Sequence, residues 1–365
     1  MNICIIDPRI YQLFNESVYS GFGGAQVQFT LLAKALSKME NCKISIIVGD
    51  HGQAEREFYG NIELIKSFKV KDSILFKILK SLKAIRKAKA QVFMQRSLTP
   101  YSGIIALLVR LLGKKFVYMI AHDFEVDGNN ALHKSIFGRF LSKLLFKKAN
   151  IIVAQNQYQL KHLENRGIKA LLIKSSVIIE ETISSEKKAH LWLGRTEKFK
   201  QPELFLDLAE HFPDEKFMMV CPRSYHSDLE IQNQLKNRAK ELGNVEFYDE
   251  YLPYSQVSKV LSVAKTIINT SVAEGFPNTF LQAGVYKIPI LSLAVDPDNF
   301  IDHFDCGFYC SNNFDMLLSS FQILSESVEL CSNKGLNAYN YVFQHHNIEI
   351  NSKTLFHKIC GLFRG

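Results

Sequence analysis

The residues best suited to chemistry lie in the segment 269–282, which reads NTSVAEGFPNTFLQ. The short apolar run 265–269 before the turn predicts a buried strand, and the run 279–286 after it predicts a helix. A tight turn between strand and helix places backbone N–H groups and the positive end of a helix dipole at the edge of a sheet. Such an edge binds anions, and phosphate above all.

One carboxylate, Glu274, lies within this turn. A carboxylate repels phosphate, so Glu274 is better suited to accept hydrogen bonds from hydroxyl groups. A sugar diphosphate offers both kinds of group. The sequence therefore predicts a site for such a ligand at Glu274 and at the residues that follow it, namely Gly275, Phe276, Pro277, Asn278 and Thr279.

The same segment resembles the glutamate motif of the retaining nucleotide-sugar glycosyltransferases of family 4, which have the GT-B fold. That motif reads Glu-Gly-Phe-x-x-x-x-x-Glu, and its two acids contact the donor sugar and the nucleotide ribose. Glu274 matches the first acid, and Gln282 stands at the position of the second. A glutamine can hydrogen-bond a diol, but it does so without charge, so this departure bears on nucleotide affinity.

A second motif, WLGRTEKFKQP at 192–202, is similar to the family's donor-diphosphate site. Arg195 and Lys200 match the positions that bind the phosphates, whereas Gln201 replaces the usual glycine. The resemblance implies that the two cations stabilise the negative charge that grows on the departing nucleoside diphosphate. In that role they take the place of a metal ion.

The resemblance thus implies no metal and no cofactor, with the nucleotide sugar as a donor substrate. Asp296 and Asp298 have the spacing of a metal motif, but they follow an apolar run and are expected to shape a turn. The seven cysteines include one close pair, Cys306 and Cys310, and none has the spacing of a zinc site. We expect them to be ordinary thiols in a reducing compartment.

The first part of the chain supplies further candidates. The segment SGFGGAQV at 20–27 follows a predicted strand and opens a predicted helix. The resemblance assigns Gly23 and Gly24 to a loop against the donor phosphate and the acceptor, and glycine permits such close approach. It also implies that His122, after the predicted strand 115–120, points at the donor sugar; a capping turn is the alternative.

Three acids, Asp123, Glu125 and Asp127, follow His122 in an otherwise basic region. They either hold acceptor hydroxyl groups or cap the next loop.

Strands and amphipathic helices alternate along the chain, which predicts an α/β fold. Two such series joined by a polar linker at 178–188 indicate the GT-B class, with two doubly wound Rossmann-like domains facing each other across a cleft. We expect an N-terminal acceptor-side domain at 1–177 and a C-terminal nucleotide-sugar-binding domain at 178–344. The resemblance implies that a last helix, at about 345–365, packs back on the first domain.

Charge is divided unevenly between these domains. Residues 1–180 contain 27 Lys and Arg against 13 Asp and Glu, whereas the rest of the chain is mildly acidic. In the predicted helices 73–89 and 132–148, apolar stripes are expected to pack on the sheet and basic residues to face outward. An anionic membrane surface is the expected partner, contacted by Lys77, Lys80, Lys83, Lys87, Arg139, Lys143 and Lys147. Nucleic acid is not expected, because no stacking or recognition motif accompanies the charge.

Together these features predict a metal-independent retaining glycosyltransferase that moves a sugar to a saccharide or lipid-linked saccharide, in bacterial surface polysaccharide synthesis. With no signal peptide in the sequence, we expect a cytoplasmic protein, peripheral on the inner face of the membrane. Two alternatives stay open. One is a sugar-nucleotide epimerase of the same architecture, and the other is a non-catalytic GT-B partner protein.

Overall fold

The structure is a computed structural model that describes residues 1–15, 17–18, 22–69, 71–180, 185–222, 229–250, 252 and 254–364. The chain divides into two compact units, Met1–Ile178 with Ile348–Gly365, and Ile179–Asn347. This division falls within a few residues of the boundaries expected at 177 and 344. Residues 181–184 of the linker, and Ser20 and Gly21 of the glycine loop, lie outside the described residues.

The first unit is built on a sheet of eight described strands. They are β1 (Asn2–Ile6), β2 (Lys43–Val48), β3 (Arg56–Tyr59), β4 (Ile62–Lys66), β5 (Val92–Arg96), β6 (Lys115–Met119), β7 (Ile151–Ala154) and β8 (Leu171–Leu172). The strand order is β3-β4-β2-β1-β5-β6-β7-β8. Neighbouring strands run parallel, except that β3 and β4 form an antiparallel pair. This edge hairpin was not predicted, because β3 is short and its Phe58 is 70% exposed.

Helices cover both faces of this sheet, namely α1 (Gly24–Leu36), α2 (Ile74–Ala88), α3 (Ser102–Leu111), α4 (Ile136–Lys148), α5 (Gln157–Glu164) and a last helix at Ile348–Gly361. Successive side chains of a strand point to opposite faces of the sheet, so each strand contributes side chains to two cores. Ile3 and Ile5 pack with α1 and the last helix. Cys4 and Ile6 pack in the core that contains buried residues of α2, α3, α4 and α5.

The second unit contains a second sheet, whose described strands are all parallel. They are β9 (Ala189–Leu193), β10 (Phe217–Val220), β11 (Val245–Tyr248), β12 (Ala264–Asn269), β13 (Ile290–Ser292) and β14 (Gly307–Tyr309). Their order is β11-β10-β9-β12-β13-β14. The helices are α6 (Pro202–His211), α7 (Leu229–Leu242), α8 (Tyr254–Ser262), α9 (Asn278–Val285), α10 (Phe300–His303), α11 (Phe314–Glu326) and α12 (Val328–His345).

The last helix, now α13, belongs to the first unit, as expected for the end of the chain. Its first residue, Ile348, donates its backbone N–H to the carbonyl of Val177 at 3.1 Å. Asn351 donates to Ser176 Oγ at 3.0 Å. Leu355 and Ile359 are buried in the core beside α1.

The orientation predicted for α2 is wrong in its N-terminal half. The buried side chains of this helix are Ser81, Ala84, Ile85 and Ala88, all in its C-terminal half. Apolar residues of the predicted inner stripe, such as Leu75 and Leu79, are instead 66% and 53% exposed. Helix α4 presents Arg139, Lys143 and Lys147 outward, as expected, but its apolar stripe is also exposed in the N-terminal half, at Ile136, Phe137 and Phe140. None of the described helices is long and apolar enough to span a membrane.

Candidate functional site

The candidate site lies at one edge of the second sheet, where the strand order reverses. Strand β9 is the first strand of this unit, and it lies between β10 and the later strand β12. In open α/β sheets, ligands bind beyond the carboxyl ends of the two strands that flank such a reversal. The segment that carries Lys200 follows β9, and the turn that carries Glu274 follows β12. Because β9 and β12 are parallel neighbours, both segments leave the same edge.

Lys200 and Glu274 meet directly at this edge. Lys200 Nζ lies 2.8 Å from Glu274 Oε1, and both side chains are largely buried. Ser271 Oγ donates to the same oxygen at 2.7 Å, and Asn269 Nδ2 donates to it at 3.3 Å. Burial by itself would raise the pKa of Glu274, but Lys200 and these hydrogen bonds more than offset it and lower the pKa below its usual value. The side chain is therefore a carboxylate at neutral pH.

Further hydrogen bonds, of side chains and of the backbone, hold the two segments together around this ion pair. Thr270 Oγ1 donates to the carbonyl of Lys200 at 2.7 Å, and it accepts from Trp192 Nε1 at 2.9 Å. The N–H of Val272 donates to the carbonyl of Phe199 at 2.8 Å. These contacts fix the backbone of Lys200 relative to the turn, so that the ion pair does not depend on flexible side chains alone.

Gly194 makes room for the stem of Lys200. A Cβ atom at Gly194 would lie 2.9 Å from the Trp192 ring and 3.2 Å from Lys200 Cδ. Arg195, the other predicted phosphate-binding residue, follows on the same segment. Its guanidinium lies 3.5 Å from Glu197, and its side chain is 31% exposed. Of the two cations predicted to bind phosphate, only Lys200 contacts Glu274.

The turn after Glu274 is anchored by aromatic packing. Phe276 is buried, and its ring lies 5.2 Å from the Phe300 ring and 4.5 Å from the His346 ring. The Phe276 side chain therefore fixes the turn, and ligand contact from this residue is left to its backbone. Pro277 is buried as well, and α9 begins at Asn278.

Helix α9 carries the remaining predicted residues of this motif. Thr279 and Gln282 are one turn apart and half-buried. Further along the helix, a Cβ atom at Gly284 would lie 2.5 Å from Val342 Cγ2 and 2.8 Å from the carbonyl oxygen of Ala338. Glycine at this position therefore lets α9 lie directly against α12. This contact sets the direction in which the N-terminus of α9 points.

The predicted glycines of the first unit lie at the start of α1. Gly23 precedes the helix with an extended φ of −139°, so its backbone does not require glycine. Its N–H donates to Gln26 Oε1 at 2.9 Å, and Gln26 Nε2 donates to Asp7 Oδ2 at 2.7 Å. Gly24 is the first residue of the helix. Close approach of a ligand to Gly23 and Gly24 stays a prediction from the resemblance.

His122 caps a short 3-10 helix at Asp123–Glu125. Its Nδ1 accepts from the N–H of Phe124 at 3.3 Å, and the two rings stack at 4.2 Å. Glu125 is buried, accepts from the N–H groups of Ala121 and His122 at 3.2 Å, and accepts from the Tyr118 hydroxyl. Burial raises the pKa of Glu125 to about 7. These contacts favour the capping interpretation for His122 and Glu125.

The other two acids of this cluster also bond locally. Asp123 Oδ1 accepts from Gln159 Nε2 at 2.8 Å and from Asn156 Nδ2 at 3.1 Å. Asp127 Oδ1 accepts from the N–H of Asn129 at 2.8 Å. The cluster is therefore part of the local framework of the first unit.

Sequence reasoning gave no separate role to five residues that support the ion pair, although they lie within the two motifs; they are Trp192, Gly194, Asn269, Thr270 and Ser271. Asn269, Thr270 and Ser271 are three small polar residues at the end of a buried strand, and this was a signal that they line a site. The Trp192 contact could not be found in this way, because its partner Thr270 is 78 positions away.

The turn expected at Asp296 and Asp298 is present, because a 3-10 helix spans Pro297–Asn299. Asp296 Oδ1 accepts from the N–H of Ile301 at 2.9 Å. Among the described residues, no three His, Cys, Asp or Glu side chains are grouped to hold a metal ion. The seven cysteines are free thiols, and Cys306 and Cys310 are buried.

Comparison with known proteins identifies the fold. No protein-family model matches the chain, and no curated protein sequence matches it. Among solved structures, it is similar to sucrose-phosphate synthase from Thermosynechococcus elongatus, with a TM-score of 0.81 and 13% identity over 100% of this chain and 99% of that one. Anabaena HepE in complex with UDP and glucose is similar with a TM-score of 0.76 and 14% identity, over 99% of both chains.

A third similar structure is the lipopolysaccharide outer core galactosyltransferase WaaB, with a TM-score of 0.64 and 16% identity over 99% of both chains. These matches span both units of the chain. They confirm the predicted fold class, which is the α/β GT-B fold with two doubly wound units. At these identities they show the fold alone, and membership of family 4 stays a prediction from the motifs.

Proposed function

We propose that this protein is a retaining glycosyltransferase that moves a sugar from a nucleotide-diphosphate sugar to a saccharide or lipid-linked saccharide acceptor. One observation carries the proposal, namely the contact between Lys200 and Glu274 at the strand-order reversal of the second sheet. An anion-binding cation and a hydroxyl-binding carboxylate are the two groups that a sugar diphosphate requires side by side.

Glu274 is proposed to orient the donor sugar. The hydrogen bonds from Lys200, Ser271 and Asn269 all end on its Oε1. Its second oxygen, Oε2, is then available to accept from sugar hydroxyl groups. Because the carboxylate is ionised and its position is fixed by three donors, these hydrogen bonds form without rearrangement of the side chain.

Lys200 and Arg195 are proposed to stabilise the leaving group. In the transfer, the bond from the anomeric carbon to the diphosphate breaks, and its electron pair goes to a phosphate oxygen. The acceptor oxygen bonds to the same carbon from the same face, and its proton passes to the departing phosphate. A growing negative charge beside two cations and the N-terminus of α9 lowers the barrier. No covalent enzyme intermediate is involved.

The acceptor side of the reaction is assigned to the first unit. By the family resemblance, Gly23 and Gly24 lie against the acceptor, whereas the contacts of His122 favour a capping role. We propose a saccharide or lipid-linked acceptor of bacterial surface polysaccharide synthesis, used at the cytoplasmic face of the membrane. The positive charge of the first unit supports an acceptor held at an anionic surface.

A thermal-shift titration tests the donor assignment. The panel contains nucleoside diphosphates and nucleotide sugars, and UDP-glucose comes first because HepE is a structural neighbour crystallised with it. Binding to the folded state raises the melting temperature with the logarithm of ligand concentration. Lys200→Met should abolish the shift, whereas the exposed Lys198→Met should keep it. If no compound of the panel shifts the wild-type protein, the donor assignment is wrong.

Turnover of the identified donor tests the reaction class. Glu274→Ala should abolish sugar transfer, and Glu241→Ala, which removes an exposed acid of α7, should not. Donor conversion without any acceptor would indicate the epimerase alternative. Donor binding without any turnover would indicate a non-catalytic partner protein. Normal transfer by Glu274→Ala would refute the site assignment.

A further inference from the structure

Helix α2 exposes large apolar side chains that the fold of its unit does not use. Ile74, Leu75, Phe76 and Leu79 are 62%, 66%, 59% and 53% exposed. All four lie in the N-terminal half of the helix. Leu75, Phe76 and Leu79 share the face opposite to the buried residues Ser81, Ala84 and Ile85. This half of α2 is therefore apolar on its outer side.

Helix α4 repeats this arrangement. Ile136, Phe137 and Phe140, in its N-terminal half, are 80%, 67% and 59% exposed. The opposite face is buried through Leu141, Leu145 and other residues. Monomeric proteins rarely expose so many large apolar side chains together, and such patches mark interaction sites.

The two apolar faces belong to one side of the first unit. Buried residues of α2, α3 and α4 share a single core on one face of the sheet. Each of these helices connects two parallel strands, so their N-termini lie at the same edge of the sheet. With α3 between them and helices packed about 8–10 Å apart, the axes of α2 and α4 are about 20 Å apart. We call the exposed apolar residues of the two helices, with the basic residues beside them, the α2/α4 surface.

Basic residues complete this surface at the other end of both helices. Lys83 and Arg86 are exposed on the outer face of α2, and Lys143 and Lys147 are exposed on the outer face of α4. No acid occurs between residues 128 and 163. In contrast, Lys80 and Lys87 lie 2.7 Å and 2.8 Å from carboxylates of their own unit. The basic residues available to a partner therefore differ from the basic residues that the sequence predicted to contact the membrane.

We propose that the α2/α4 surface docks the first unit on an anionic lipid bilayer. The apolar side chains enter the acyl boundary, and Lys83, Arg86, Lys143 and Lys147 contact lipid phosphates. Interfacial helices combine these two features, an apolar side with Trp, Phe or Leu and a Lys/Arg-rich polar side. The proposal does not depend on sugar transfer, so it stands or falls separately from the proposed function.

Charge decides between a bilayer and a second copy of the chain. A symmetric dimer through this surface adds the basic residues of two copies to one interface and supplies no acids to pair with them. Like charges at a protein interface disfavour that pairing. An anionic bilayer instead neutralises them, and it accepts the apolar side chains without a matching partner surface.

Vesicle flotation tests the proposal with the full-length protein. The wild-type protein should float with phosphatidylglycerol–phosphatidylcholine vesicles and bind at least tenfold less to pure phosphatidylcholine. Phe76→Asp with Phe137→Asp should lower binding to the anionic vesicles at least tenfold. Val328→Asp introduces one aspartate at a side chain of the second unit that is 86% exposed, and it should leave binding unchanged.

A second pair of variants separates charge on this surface from net charge. Lys143→Ala with Lys147→Ala should lower binding at least fivefold. Lys353→Ala with Lys358→Ala removes two exposed lysines from α13, which packs on the other face of the sheet, and should change binding less than twofold.

Size-exclusion chromatography and melting curves of every variant complete the experiment. If both aspartate variants melt at the wild-type temperature, any loss of flotation is caused by the changed surface and not by unfolding. Absence of wild-type flotation, equal binding to neutral vesicles, or equal loss in the two lysine pairs would overturn the proposal. A wild-type dimer that the Phe76→Asp, Phe137→Asp variant converts to a monomer would overturn it as well.

Discussion

The ion pair between Lys200 and Glu274 should stabilise the second unit even without a ligand. At the observed 2.8 Å, two unit charges attract by about 6 kcal/mol if the effective dielectric constant is about 20. Desolvation of both groups offsets much of this attraction, and removing one partner of a buried pair typically costs about 3–5 kcal/mol. Ser271 and Asn269 still donate to Glu274 when Lys200 is replaced. We therefore expect Lys200→Met to lower the free energy of unfolding by about 2–3 kcal/mol.

Thermal unfolding without ligand measures this effect. A loss of about 2–3 kcal/mol corresponds to a melting temperature lower by about 5–10 °C for a unit of this size. The matched control is Lys198→Met, which makes the same substitution in the same 3-10 turn at an exposed side chain. That variant should melt within about 1–2 °C of the wild-type protein, because exposed charges contribute little to stability.

A double-mutant cycle separates the pair from the packing of the lysine stem. Glu274→Gln keeps the shape of the side chain and removes its charge. If the ion pair is the cause, Lys200→Met should cost less than about 1 kcal/mol when Gln occupies position 274. An equal loss in both backgrounds would show that packing of the stem across Gly194 stabilises the unit, and the reasoning on charge would then be wrong.

Three further outcomes are expected. Gln282→Glu should preserve or raise transfer and tighten nucleotide binding by up to about tenfold, because a charged acceptor strengthens hydrogen bonds to a diol; isothermal titration calorimetry measures this, and weaker binding would contradict it. Burial raises the pKa of Glu125 from 4.5 to about 7. The protonated side chain therefore contributes about 3 kcal/mol to the free energy of unfolding below pH 4.5, and this contribution is lost as pH rises through 7. Urea unfolding should show that Glu125→Gln flattens this slope, whereas Glu164→Gln, at an exposed site, keeps it. Gly284→Ala should destabilise the protein by about 1–3 kcal/mol, because its methyl group meets α12, while Gly361→Ala, with nothing within 4 Å, should not; equal melting temperatures would refute the packing argument.

The pattern of residues along the chain was sufficient for most elements of the fold. The strands predicted at 265–269 and 115–120 are present with bounds that differ by one residue, as Ala264–Asn269 and Lys115–Met119, and the alternation of such elements gave the α/β class correctly. Local signals suffice here because the period of buried side chains differs between strands and helices. The edge strand β3 was missed, since a short and largely exposed strand leaves no such pattern. Its partner β4 was missed as well, although three of its five residues are buried.

The orientation of α2 shows where a local pattern fails. Its apolar residues recur at helical spacing, and this predicted a buried stripe. Buried residues occur only in the C-terminal half of the helix. Apolar residues with the same spacing in the N-terminal half, such as Leu75 and Leu79, face outward. Periodicity shows which residues share a face, and it does not show whether the rest of the fold covers that face.

The sequence by itself determined which residues are candidates for the chemistry, because the motifs around Lys200 and Glu274 are continuous segments of the chain. Only the tertiary structure decided that these two side chains, 74 positions apart, form one ion pair. Their meeting depends on β9 and β12 being neighbours in the sheet. That strand order results from the packing of the whole unit, to which helices and strands far from either motif contribute.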